Sequence, residues 1–142
     1  RTLIDDGVQV ILSSGPATVE LAHNQAIMDA LPAEYTEKVH DLSGKTTLPE
    51  LAAIIAQSDI FIGVDSAPMH IAAAVGTKTA VLFGPSGEHN WGPWQVEHRV
   101  VAAPRACRPC GHDGCNGSKR SRCLEEITVA QVMAAVRELL QP

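Results

Sequence analysis

No apolar run in these 142 residues approaches the roughly 20 that a membrane-spanning helix needs. No basic start, apolar stretch and small-residue cleavage site marks a secretory leader either. A cytoplasmic protein is therefore the expectation. The motifs G-x-G-x-x-G and G-x-x-x-x-G-K-[ST] are both missing, which removes the main support for a dinucleotide or P-loop site. "SGKTT" at 43–47 has the tail of a P-loop without its upstream glycine. Positive charge is not in excess, the formal net charge being −5, so no nucleic-acid partner is expected. An initiator Met is absent too. The opening "RTLIDDGVQVIL" reads as the tail of a helix entering a strand, which suggests a piece of something longer.

What is present is globular. Hydrophobic residues make up 45% and charged residues 19%, and the length suits one α/β domain with a sizeable core. Val8 to Leu12 is a β-branched run followed by the turn "SSGPAT", and helical spacing from Val19 to Leu31 stops at Pro32. A second round follows, with an extended piece at Val39 to Leu42. Thr47 is then a plausible N-cap, with Pro49 in the first turn and Glu50 completing a capping box. Strands are expected at Asp59 to Val64, Thr79 to Phe83 and Arg99 to Ala102. Helices are expected from Pro68 to Val75, stopped by Gly76, and from Thr128 onward. Short strands alternating with helices argue for a Rossmann-like parallel sheet with helices on both faces. Ligands of such sheets bind outside the carboxyl ends of the strands.

"GVDSAPMHIAAAVG" (63–76) lies at such an end. Asp65 and Ser66 follow the strand directly, and either can cap the next helix, whose first turn accommodates Pro68. The free N–H groups of a helix start, with its dipole, suit an anion. Asp65 would repel phosphate and suits sugar hydroxyls better. His70 lies in or just beyond the same turn. A plain helix cap with a packing histidine explains the same residues without any ligand.

Residues 43–94, from "SGKTTLPELAAIIAQS" to "NWGPW", closely resemble the carboxyl-terminal half of the lipopolysaccharide heptosyltransferases, the glycosyltransferase family 9 enzymes. The most specific part is D-S-x-x-M-H-x-A-A-A at 65–74, followed by F-G-P-S at 83–86. The loop "GPSGEHNWGPW" and the cysteine string are most similar to the heptosyltransferase III branch, which adds a side-branch heptose to the inner core. The resemblance implies half of a GT-B enzyme, in which two Rossmann-like domains face each other across a cleft. It implies an inverting transfer from ADP-heptose to the lipopolysaccharide inner core, with no cofactor required. The expected location is cytoplasmic, with peripheral association at the cytoplasmic face of the inner membrane. It places Asp65 on heptose hydroxyls, and the Ser66 and Ala67 amides and His70 beside the sugar diphosphate. Thr46, Thr47 and Leu48 and the turn Ser14-Gly15-Pro16 would approach the adenosine. The catalytic base, the first strand of the nucleotide domain and the acceptor domain would all lie outside this chain.

The last third of the chain is charged differently. Residues 99–142 carry 7 Lys/Arg against 4 Asp/Glu, whereas residues 1–98 carry 4 against 12. Within the Cys-rich basic loop at 105–123, Arg105, Arg108, Lys119, Arg120 and Arg122 are candidates for contact with a phosphorylated lipid acceptor or membrane surface. Cys107, Cys110, Cys115 and Cys123 form C-x2-C-x4-C-x7-C, whose first pair has zinc-knuckle spacing, so a structural zinc is one reading and reduced thiols or adventitious disulfides the others. Trp91 and Trp94 are expected to anchor their Gly/Pro loop to the domain. Two other functions remain open on sequence grounds: a non-catalytic zinc-containing interaction module, and a sugar-nucleotide epimerase domain, which can share the GT-B architecture.

Overall fold

In a computed structural model, which describes residues 1–141, the chain divides into two compact units, Arg1–Glu50 and the residues from Leu51 onward. In the first unit, helix α1 (Thr2–Asp5) leads into strand β1 (Val10–Leu12), then α2 (Thr18–Asp29), α3 (Ala33–Thr36) and β2 (Val39–Asp41). β1 and β2 pair in parallel, Val10 with Val39 and Leu12 with Asp41. Their carboxyl ends therefore lie side by side. Helix α4 (Leu48–Ala56) starts in this unit at the expected place. Glu50 Oε2 accepts from the Thr47 N–H (2.8 Å) and from the Thr47 hydroxyl (2.7 Å). This is the return half of the expected capping box.

The second unit holds β3 (Phe61–Val64), α5 (Ala67–Val75), β4 (Thr79–Leu82), α6 (Glu88–Trp91) and β5 (His98–Val101). After a 3₁₀ turn at Cys115–Gly117 come α7 (Arg122–Glu125) and α8 (Val129–Leu140). The sheet order is β3-β4-β5, all parallel, with Val64 opposite Leu82 and Leu82 opposite Val101. The expected parallel α/β architecture is present, but the strand pairs form a two-stranded and a three-stranded group rather than one ladder.

β4 is buried at consecutive positions, as a central parallel strand covered on both faces must be: Thr79, Ala80 and Val81 are all fully buried. Met69 of α5 packs with Val81 and Phe83, while Leu51, Ile55 and Ala72 form a second cluster. Phe61 packs against both. Ala72 and Ala73 of α5 are buried as well. Gly76 ends that helix at φ 82, a left-handed conformation that favours glycine. α8 begins at a complete capping box, with the Thr128 hydroxyl accepting from Gln131 N–H and the Gln131 side chain accepting from Thr128 N–H. Its Met133, Val136 and Leu139 are buried.

Candidate functional site

Two groups of predicted residues fall at the carboxyl ends of parallel strands, one in each unit. In the second unit β3 ends at Val64, and Asp65 follows at once. The Asp65 carboxylate, with its side chain 20% exposed, lies 3.9 Å from His70 Nε2. Ser66 is the N-cap of α5 in extended backbone, yet its side chain makes no capping bond. Its hydroxyl donates instead to the Val64 carbonyl at 3.2 Å. The expectation that Asp65 or Ser66 caps this helix through its side chain is thus not met. A helix start with no side-chain acceptor, a carboxylate at its rim and a half-exposed imidazole can offer N–H donors to an anion and an acceptor to hydroxyls. Ala67, as N1 of the helix, lies at that start.

In the first unit the turn after β1 and the turn after β2 meet. The Gly44 N–H donates to the Ser14 carbonyl at 3.0 Å, and a side chain at Gly44 would meet Pro16 and Leu21. Ser14 Oγ is engaged with the Gly15 carbonyl. Thr46 is half-buried, while Thr47 and Leu48 are exposed, Leu48 at 67%. A polar cluster that sequence reading passed over supports these turns. Asp41 Oδ1 accepts from the Ser43 N–H at 2.9 Å and from the Ser43 hydroxyl, which in turn accepts from Asn24. These bonds hold the Asp41 carboxyl below the usual carboxylate range. The local D-x-S pattern was its only sequence signal.

The basic segment is less available than its charge suggests. Arg105 pairs with Glu126 (Nε to Oε2, 2.6 Å), Arg120 with Glu125 (2.7 Å), and Lys119 with Asp113. The Arg105 bond, with Arg122 adding to it, holds the Glu126 carboxyl below its ordinary value. Arg108 is turned inward, its side chain 10% exposed, toward Gly84 and Glu88. Of the five candidates for an acceptor surface, Arg108 is therefore withdrawn by burial. Lys119 and Arg120 are exposed but paired, Arg105 is half-buried and paired, and Arg122 is exposed at the start of α7.

The four thiols are free, Cys107 and Cys110 exposed and Cys123 buried. Among the described residues, no group of three or more His, Cys, Asp and Glu is placed to hold a metal. The structure does not gather the four cysteines of the zinc reading into one coordination sphere, and Cys123 lies buried on α7. The anchoring role expected of the tryptophans is not met: Trp91 is 57% and Trp94 76% exposed, and the buried residues of that loop are Gly84 and Pro93. Among the described residues no helix is long and apolar enough to cross a membrane.

Residues 1–120 match the model of glycosyltransferase family 9 (heptosyltransferase). Lipopolysaccharide heptosyltransferase 3 of Escherichia coli is 46% identical over 94% of this chain and 38% of its own length. Lipooligosaccharide heptosyltransferase 2 of Campylobacter jejuni is 33% identical over 93% of this chain and 40% of its own. The solved structure of the E. coli ADP-heptose lps heptosyltransferase II superposes with a TM-score of 0.81 at 27% identity, over 98% of this chain and 38% of that one. A family 9 glycosyl transferase from Veillonella parvula gives 0.75 at 25% identity, over 96% and 37%. The chain thus spans about two-fifths of the length of the relatives it matches.

Proposed function

Since the chain belongs to glycosyltransferase family 9, we propose that it is the donor-binding part of an inverting heptosyltransferase that transfers heptose from ADP-heptose to the inner core of lipopolysaccharide. The observation that carries the reading is the β3–α5 junction. Asp65 and His70 stand together at a strand's carboxyl end beside a helix start that no side chain caps. An inverting transfer separates a diphosphate from the sugar while a base removes the acceptor's proton. The junction suits the first of these two steps. N–H donors and the helix dipole favour the leaving diphosphate, while Asp65 accepts from heptose hydroxyls and holds the ring. The base is assigned to an acceptor domain outside this chain, with Asp65 facing the donor.

Donor titration of the complete two-domain enzyme tests this. ADP-heptose should bind and a UDP-sugar should not, and Asp65→Asn should weaken ADP-heptose about ten- to a hundredfold, the scale of one hydrogen bond to a charged group. Preference for the UDP-sugar would favour the epimerase reading instead. Unchanged affinity in Asp65→Asn would remove Asp65 from the site. The isolated 142-residue chain should show no transferase activity, and heptose transfer by it would refute the assignment of the base.

A further inference from the structure

The cysteine-rich segment closes on one loop, Gly84–Glu88, which leaves the carboxyl end of β4. The Arg108 guanidinium spans that loop from end to end. Its Nε donates to the Gly84 carbonyl at 2.8 Å, and its Nη2 meets Glu88 Oε2 at 3.1 Å. The middle is held as well: Cys110 and Gly111 N–H both donate to the Pro85 carbonyl, at 3.1 and 2.9 Å. Leu124 fills the space beside Gly84 so closely that a Cβ there would stand 2.6 Å from its Cγ. Because Val64 pairs with Leu82, Asp65 and this loop emerge from neighbouring strands at the same sheet edge.

A planar trans peptide points its N–H opposite to its C=O. With the Pro85 carbonyl taken by the segment, the Ser86 N–H faces away from it, free to meet an anion at the sheet edge. We propose that Arg108 is a positioning residue for the donor: it fixes the Gly84–Glu88 loop so that the Ser86 amide meets the donor's diphosphate. The cysteine-rich segment then serves the donor side rather than the acceptor. This rests on the donor-site reading of Asp65 and assigns the segment a part in it.

Steady-state kinetics of the complete enzyme, with donor and acceptor varied separately, decide the matter. Arg108→Ala should raise the donor KM about tenfold while leaving the acceptor KM unchanged. Arg108→Lys keeps the charge but reaches only one end of the loop, and should fall between wild type and alanine. It also stands in if the alanine variant fails to fold. Glu88→Gln keeps an acceptor for Nη2, so it should shift the donor KM in the same direction by less. A purely structural Arg108 would lower the unfolding temperature while both KM values stay as in wild type, and that result overturns the proposal. Equal rises in the two KM values overturn it too. Asp65→Asn, run beside these variants, separates the two readings. If it has no effect while Arg108→Ala raises the donor KM, Asp65 leaves the site and the loop's role stands. If it weakens donor binding while Arg108→Ala does not, the donor site stands and the clasp falls.

Discussion

The β3–α5 junction and the segment from Arg105 to Glu126 lie at the same sheet edge and treat their polar groups in opposite ways. At the junction, Ser66 caps nothing and Asp65 and His70 sit 3.9 Å apart, short of a close hydrogen bond. In the segment, Arg105, Arg108, Lys119 and Arg120 each meet a carboxylate. Charge counted along a sequence is therefore not charge available to a partner. The junction leaves its carboxylate and imidazole without close partners, while the basic segment uses its charges to hold its shape.

What both regions share is the core beneath β4, and breaking it should give the largest effect. Phe83 is fully buried with Met69 and Val81, one residue before Gly84. Phe83→Ala should cost about 3–5 kcal/mol in urea denaturation. Trp94→Ala, at a side chain 76% exposed, should stay within about 0.5 kcal/mol. A large loss at Trp94 would restore the anchoring role that the structure denies it.

Two helix starts sharpen the contrast. Thr128 caps α8 with its side chain and Ser66 does not cap α5. Thr128→Ala should thus cost about 1 kcal/mol, whereas Ser66→Ala should change stability by less than about 0.5 kcal/mol. Equal losses would mean that Ser66 caps its helix after all, and that the α5 start is not held open.

Local signals explain what was legible. The strand positions, the Gly76 stop, the Thr128 start and the strand-end position of Asp65 all rest on patterns within a few residues, and each is found within about two residues of where the sequence placed it. What was missed depends on residues far apart in the chain. Arg108 meets Glu88 across 20 positions and Arg105 meets Glu126 across 21, separations at which no spacing rule operates. The basic run therefore read as an open patch. The helix α2 pattern misled in another way: its apolar spacing is helical, but none of its side chains is buried by the described residues.

Thiol chemistry distinguishes a clasp made by ion pairs from one made by metal. Under native, reducing conditions a thiol reagent should modify Cys107 and Cys110 fast and Cys115 more slowly, with Cys123 reacting only on unfolding. Chelator should not alter that order. Uniform protection of all four, released together by chelator, would instead reinstate the tetrathiolate.

The smallest effect concerns acid, and its sign follows from which partner titrates. The Arg105 bond lowers the Glu126 carboxyl in the folded state, and the Thr47 N–H, with its hydroxyl, lowers that of Glu50. A depressed folded-state value contributes stability above the unfolded value, near 4.3 for Glu, and loses it as pH falls through the folded value. The raised Arg105 contributes everywhere below the unfolded arginine value, so it adds no slope in acid. Stability should therefore fall progressively as the pH drops below about 5. Glu126→Gln should flatten part of that fall and Glu50→Gln another part. Because these groups are exposed, 1 M salt should shrink the Glu126 contribution, leaving Glu50, bonded to backbone rather than to a cation, less affected. An acid profile unchanged by Glu126→Gln would show that this outer pair adds nothing to the stability of the fold, leaving the contacts of Arg108, the Pro85 carbonyl and Leu124 to hold the segment on its loop.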